Sequence, residues 1–517
     1  MIMNIKRVKF FIIFLIFFLV ILPLGYVGIY FVGKISPNSV IPDYFIAYTY
    51  IPNPISMAEK LLAHEPFSDI ILKPHFSSYL PLISKIKNNN TLDKKWARFV
   101  GKGHIEGALL SDGKFLAVWD IGIAAPIIRF FPCIVEKFSI QNLQRGKKSK
   151  FEYIVSDDNV IFIQPYKNLL IISNNLSVLD GTCNDADRKG SGKRVSLADD
   201  FDAGFLVASE SVISWLSDSS PAASAFLKYL RFSDFAEIGL SIIENKIDIS
   251  IISHIASDNA DINKLISRDS RIPALIQHLP STIQYSTVVS IGSFEELLNA
   301  SLAVYAQKMP VNLKQIDRAS RIFLGTGLND LLFSWTGTEI AVLRVTEKDH
   351  PVYVLQVTDE KKRKEVFDKF SSANKYVPPV KGSAPVPQIN LPGFLNMIFN
   401  IWNIKISAPY YIVQNEFLFL SEYPETLFSA IDSIRKDDLL LKTKLWKSLS
   451  TLGDDTVSDE SLLMIFYSLD HASADHPISI FIKEDNDFSD VLKLYKHGLV
   501  RANIDNEILV LKLAVVQ

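Results

Sequence analysis

Two glycine pairs, Gly101-x-Gly103 and Gly325-x-Gly327, have the spacing with which a loop opens on phosphate. The dinucleotide fingerprint needs a third Gly at 106 and 330, where this chain has Glu106 and Asp330. A carboxylate there repels a pyrophosphate, so the glycines read as turn positions that need positive φ. Gly190-Ser-Gly192-Lys193 fails as a phosphate loop in the same way, with Asp187 and Arg194 where Gly and Ser or Thr are required. Asp180, Asp185 and Asp187 lack the ligand ladder and closing Glu of a calcium loop. His471 and His476 stand five apart and run into Pro477, so one helical face does not carry both to a metal. The remaining histidines, His64, His75, His104, His254, His278, His350 and His497, are scattered, and no G-x-S-x-G elbow occurs. Cys133 and Cys183 sit in no C-x-x-C context. Paired, they would contribute about 4 kcal/mol in the chain-entropy model; two buried thiols are the alternative. No residue is nominated as catalytic, cofactor-binding or metal-binding, and no cofactor is expected.

The glycines belong to a longer pattern. Arg98–Ile121 recurs without a gap as Ile322–Val345, matching Phe99, Gly101, Gly103, Gly113, Ala117 and Val118 to Phe323, Gly325, Gly327, Gly337, Ala341 and Val342. Further blocks recur in the same order. Pro42 and the capping-box pair Ser56 and Glu59 answer Pro280, Ser293 and Glu296. Val160–Leu179 answers Pro409–Leu427, with Ser173 on Ser421 and Leu179 on Leu427, and Ala203–Ser209 answers Leu462–Ser468. Each half ends in an alternating strand, Lys246–Ile255 and Glu507–Val516. The strands come as hairpins, so the expected class is α+β: two related modules, residues 40–260 and 275–517, each an antiparallel sheet with helices packed on one face. Asp180–Asp200 and the Pro-rich Val377–Gly393 read as loops.

A chain of 517 residues with 48% apolar and 21% charged residues and a net charge of −2 is neither disordered nor nucleic-acid binding. Phe10–Val32 is a charge-free apolar run, and a membrane-crossing helix needs about 20 residues. Lys6, Arg7 and Lys9 precede it, so residues 1–9 are expected in the cytoplasm and the body outside it, at the inner membrane. No A-x-A-like cleavage site follows, which favours a single-pass signal anchor over a cleaved signal peptide.

The apolar N-terminal run, the Ala117-Val118 and Ala341-Val342 segments and the FLFLS strand before a helix resemble a bacterial family of membrane-anchored exported proteins, domain of unknown function 3352. The resemblance implies an envelope location and assigns no activity or site residue. The expected function is that of a non-enzymatic envelope protein for binding or scaffolding, partnered by the membrane through Phe10–Val32 and by a lipid or an envelope protein. The alternatives are a carrier of lipid or another apolar ligand, and a hydrolase whose residues converge only on folding.

Overall fold

A computed structural model describes residues 33–67, 101–110, 112–125, 128, 143–145, 150–156, 159–185, 201–210, 232–255, 273–305, 312–345, 350–378, 384–391, 394–399, 406–450, 462–468, 494–505 and 508–517. It divides into two units, Met1–Ala208 with Glu237–Glu244, and Ser209–Ala236 with Asn245–Gln517.

In the first unit the strands are β1 (Ala47–Ile51), β2 (Ile105–Leu109), β3 (Phe115–Asp120), β4 (Leu143–Arg145), β5 (Phe151–Ser156), β6 (Asn159–Tyr166), β7 (Leu169–Ser173) and β8 (Ala203–Ala208). They pair antiparallel in the order β8–β1–β2–β3–β7–β6–β5–β4. Helix α1 (Pro54–Ala63) follows β1 and α2 (Leu176–Asp185) follows β7. The α1 helix starts before the expected Ser56: Asn53 caps it by accepting the Ser56 amide, and Pro54 fills the first turn, where a missing N–H costs nothing. At the β6–β7 turn, buried Asn168 accepts from the Ile35 amide and donates to the Ile35 carbonyl, which pins the start of the described chain to the sheet. Strand β9 (Phe232–Ile243) enters the first unit at Glu237.

The second unit holds β10 (Lys246–Ile255), β11 (Tyr285–Ser290), β12 (Thr336–Arg344), β13 (Pro351–Val357), β14 (Ser371–Tyr376), β15 (Val386–Ile389), β16 (Tyr410–Gln414), β17 (Phe417–Ser421), β18 (Leu463–Ser468), β19 (His497–Asp505) and β20 (Ile508–Val516). Its helices are α3 (Phe294–Tyr305), α4 (Leu313–Leu324), α5 (Glu360–Lys369), α6 (Phe394–Phe399), α7 (Pro424–Arg435) and α8 (Lys444–Ser450). The strand order β18–β11–β12–β13–β17–β16–β15–β14 repeats that of the first unit strand for strand. Beyond β18 the sheet continues through β19 and β20 to β10.

Individual hydrogen bonds repeat as well. The Ile46 amide donates to Leu109 O and the Gln284 amide to Arg344 O; Ala208 N donates to Ile46 O and Ser468 N to Gln284 O. The Ser173 hydroxyl donates to Phe115 O at 2.7 Å and the Ser421 hydroxyl to Pro351 O at 2.8 Å, and each accepts the amide two residues on. These bonds set Leu109 against Arg344, whereas the glycine windows set it against Phe333. The windows therefore do not share a structure. Arg98–Ile121 contains the β2–β3 hairpin with Gly113 at φ 74°, while Ile322–Val345 runs from the end of α4 through Gly325, its left-handed C-cap, and a π-helical turn into β12.

Three expectations are corrected. The two modules do not have separate sheets: the described strands are joined by hydrogen bonds into one large antiparallel sheet. The strands that end the two halves of the sequence pair with each other, from Lys246↔Val516 to His254↔Ile508, which leaves neither as a bare edge. Helices on one face is corrected too. In the second unit one face of the sheet packs on α7 and α8, and the other on α3, α4, α5 and α6. Phe417 and Phe419 enter the first core, Leu418 and Leu420 the second, because the FLFL run has no polar residue to turn to solvent and is buried on both sides. The transmembrane helix and single-pass signal anchor are corrected in turn. No helix among the described residues is long and apolar enough to cross a membrane, and Phe10–Val32 lies outside them. Two loop expectations also shift. Asp180–Asp185 is helical in α2, and Val386–Ile389 within the Pro-rich stretch is strand β15, anchored by buried Val386 and Ile389.

Candidate functional site: an apolar trough on the first unit

Strand pairing lays residues in rows across the sheet. One row of the first unit runs Phe205, Thr49, Gly107, Ala117 over β8, β1, β2 and β3. The row of the second unit at the same strands and register runs Ile465, Thr287, Val342, Tyr353. Thr occupies the same place in both. Where the second unit has Val and Tyr, the first has Gly and Ala. Volume is missing there, and a trough of about 250 Å³ opens, walled by Ala47, Leu109 and Phe115 beside the row. Its lining includes no carboxylate, imidazole, amine or thiol.

The second unit also shows what covers this row when it is filled. The Tyr353 ring meets the Phe399 ring of α6 at 6.1 Å, and burial pushes the Tyr353 phenol above its ordinary pKa. Helix α6 lies in the connection between β15 and β16, residues 390–409; the corresponding β5–β6 connection of the first unit is residues 157–158 alone. The sequence of the first unit has no room for an α6 at that point.

The opposite side of the same strands is polar at its centre. Glu106, the residue that rules out a phosphate loop, is 4% exposed. The Tyr48 hydroxyl donates to its Oε2 at 2.5 Å, and His104 Nε2 lies 3.0 Å from Oε1, with the Tyr50 ring 5.2 Å from the imidazole. Both carboxylate oxygens are engaged, which is what a buried carboxylate requires. Glu106 thus gathers a phenol and an imidazole, one on each carboxylate oxygen, on the side of the sheet away from the trough.

The first unit has a second recess of about 490 Å³, between residues 39–44, the β2–β3 turn and α2. The other histidines are dispersed by the fold. His64 Nδ1 is 2.8 Å from Glu244 O, His278 packs on Phe417, His350 stacks on Tyr423, and His497 Nδ1 is 2.9 Å from the Ser468 hydroxyl. Among the described residues no group of three potential ligands could hold a metal. Asp180 pairs with Lys150 instead. His75, His471, His476, Cys133, Asp187 and Gly190–Lys193 lie outside the described residues; Cys183 is half-buried on α2. The trough residues left no signal in the sequence, because Gly107 and Ala117 become neighbours only once β2 and β3 pair.

No known protein family matches the chain, and no curated protein matches it. Among solved structures it is similar to crystal form III of TP0453, with a TM-score of 0.28 and 12% identity over 47% of this chain and 85% of that one. Crystal form IV of TP0453 is similar at a TM-score of 0.27 and 12% identity, over 47% and 90%. Likeness at this level assigns no function.

Proposed function

We propose that this chain is a non-enzymatic binding protein of the cell envelope that takes an acyl chain of its ligand into the Gly107–Ala117 trough. The observation that carries the reading is the missing volume at one row of the sheet, Gly107 and Ala117 against Val342 and Tyr353. An apolar cavity of about 150 Å³ suffices to bind benzene, whereas a whole drug-sized ligand needs roughly 300–1,000 Å³. A recess of about 250 Å³ therefore suits one apolar group of a larger ligand.

The test is Ala117→Tyr, which restores the residue of the second unit. Gly107 is the poorer position, because a Cβ there would stand 2.9 Å from Thr49 Cγ2. The full-length chain is expected to bind a fluorescent fatty-acid probe, and Ala117→Tyr to weaken binding about tenfold, about 1.4 kcal/mol, with an unchanged melting temperature. Equal affinity of the two proteins, or no binding to the parent chain, would sink the reading.

A further inference from the structure

The second recess of the first unit shares no lining residue with the trough. Its floor is apolar and deeply buried: Val40, Ile41 and Leu110 are 5%, 4% and 3% exposed. Its lining is polar elsewhere and contains both signs of charge, Asp43 and the ion pair of Asp112 with Lys114, together with Ser177. Tyr44 stands on its rim 71% exposed, an aromatic face turned to solvent. The volume, about 490 Å³, falls within the range of small-molecule sites.

We propose that this recess binds a short neutral saccharide. The chemistry of the rim selects that class. Two carboxylates against one ammonium disfavour an anion. A wholly apolar ligand would strip water from charged groups and return no hydrogen bond. A saccharide offers hydroxyls in pairs, which a carboxylate accepts and an ammonium donates to, and its C–H face lies flat on an exposed Tyr ring. Asp112 is placed for this. Its partner Lys114 holds it ionised, with the carboxyl below the usual range, and Gly113 at φ 74° brings the two side chains to one rim.

Gly181 gives a test that separates ligand loss from misfolding. It lines the recess on α2, and a Cβ built there meets nothing within 4 Å. Gly181→Leu fills the space and replaces a poor helix former with a good one. Calorimetric titration of the full-length chain with maltotriose, cellotriose and tri-N-acetylchitotriose, each to about 10 mM, is expected to show binding of at least one. Tyr44→Ala and Asp112→Asn each weaken that binding about tenfold. Gly181→Leu abolishes it while the melting temperature holds or rises. No binding of any of the three, binding untouched by Tyr44→Ala and Gly181→Leu, or preference for the polyamine spermidine over all three overturns the proposal. None of these outcomes bears on the trough, which Ala117→Tyr tests by itself.

Discussion

Asp248 is the residue at which burial and charge compete most openly. It faces inward from β10 at 6% exposure, with Lys246 Nζ 3.2 Å from Oδ1. Burial raises its carboxyl above the usual value; Lys246, Arg501 and Lys512 pull it down, and burial wins. A carboxyl raised in the folded state binds its proton more tightly there than in the unfolded chain. Between the unfolded value, about 3.9, and the raised folded value, the folded state holds more protons, so stability falls as pH rises through that window. Urea midpoints measured from pH 4 to pH 7 should therefore contain a falling component in the parent chain that Asp248→Asn lacks; parallel profiles would refute it. Glu106 is the contrasting case. The sequence shows that it spoils a phosphate loop; only the fold shows that Tyr48 and His104 engage both of its oxygens.

At the scale of elements, local signals were legible where they act locally. Ser293 of the expected capping pair accepts the Glu296 amide at the start of α3. The FLFL run of β17 carries the information that both faces of its sheet are covered, since it has no polar position to turn to solvent. The glycine windows misled because identity of residue type does not fix register. Gly113 and Gly325 both have positive φ, but one turns a hairpin and the other ends a helix. On β19, Gly498 is required for a different reason: a Cβ there would stand 2.3 Å from Tyr467 Cε1, inside a ring that is 1% exposed. Gly498→Ala should cost about 1–3 kcal/mol by overpacking, read from the denaturation midpoint, whereas a loss below about 0.5 kcal/mol would show that the ring moves aside.

At the scale of the molecule, the β10–β20 pair is where the two ends of the sequence pattern meet. It runs from Lys246↔Val516 to His254↔Ile508, with Ile247, Ile249 and Ile251 alternating along one strand and Leu509, Leu511 and Leu513 along the other. Removing residues 508–517 bares the partner edges of β10 and β19, each long and apolar on one face. The truncated chain should run as aggregate on size exclusion while the full-length chain does not, and a truncated chain that elutes as one sharp, folded species would contradict this account. The sequence by itself determined the strands as hairpins, the match of Ser173 to Ser421 and of Leu179 to Leu427, and the end strands of the two halves. Those follow from alternation, capping and turn chemistry, which act over a few residues. Only the tertiary structure decided that the strands share one sheet, that helices cover both faces in the second unit, and that Gly107 and Ala117 lie side by side where the second unit has Val342 and Tyr353. Those depend on which strand pairs with which and in what register, and pairing is settled by contacts between residues far apart in the chain.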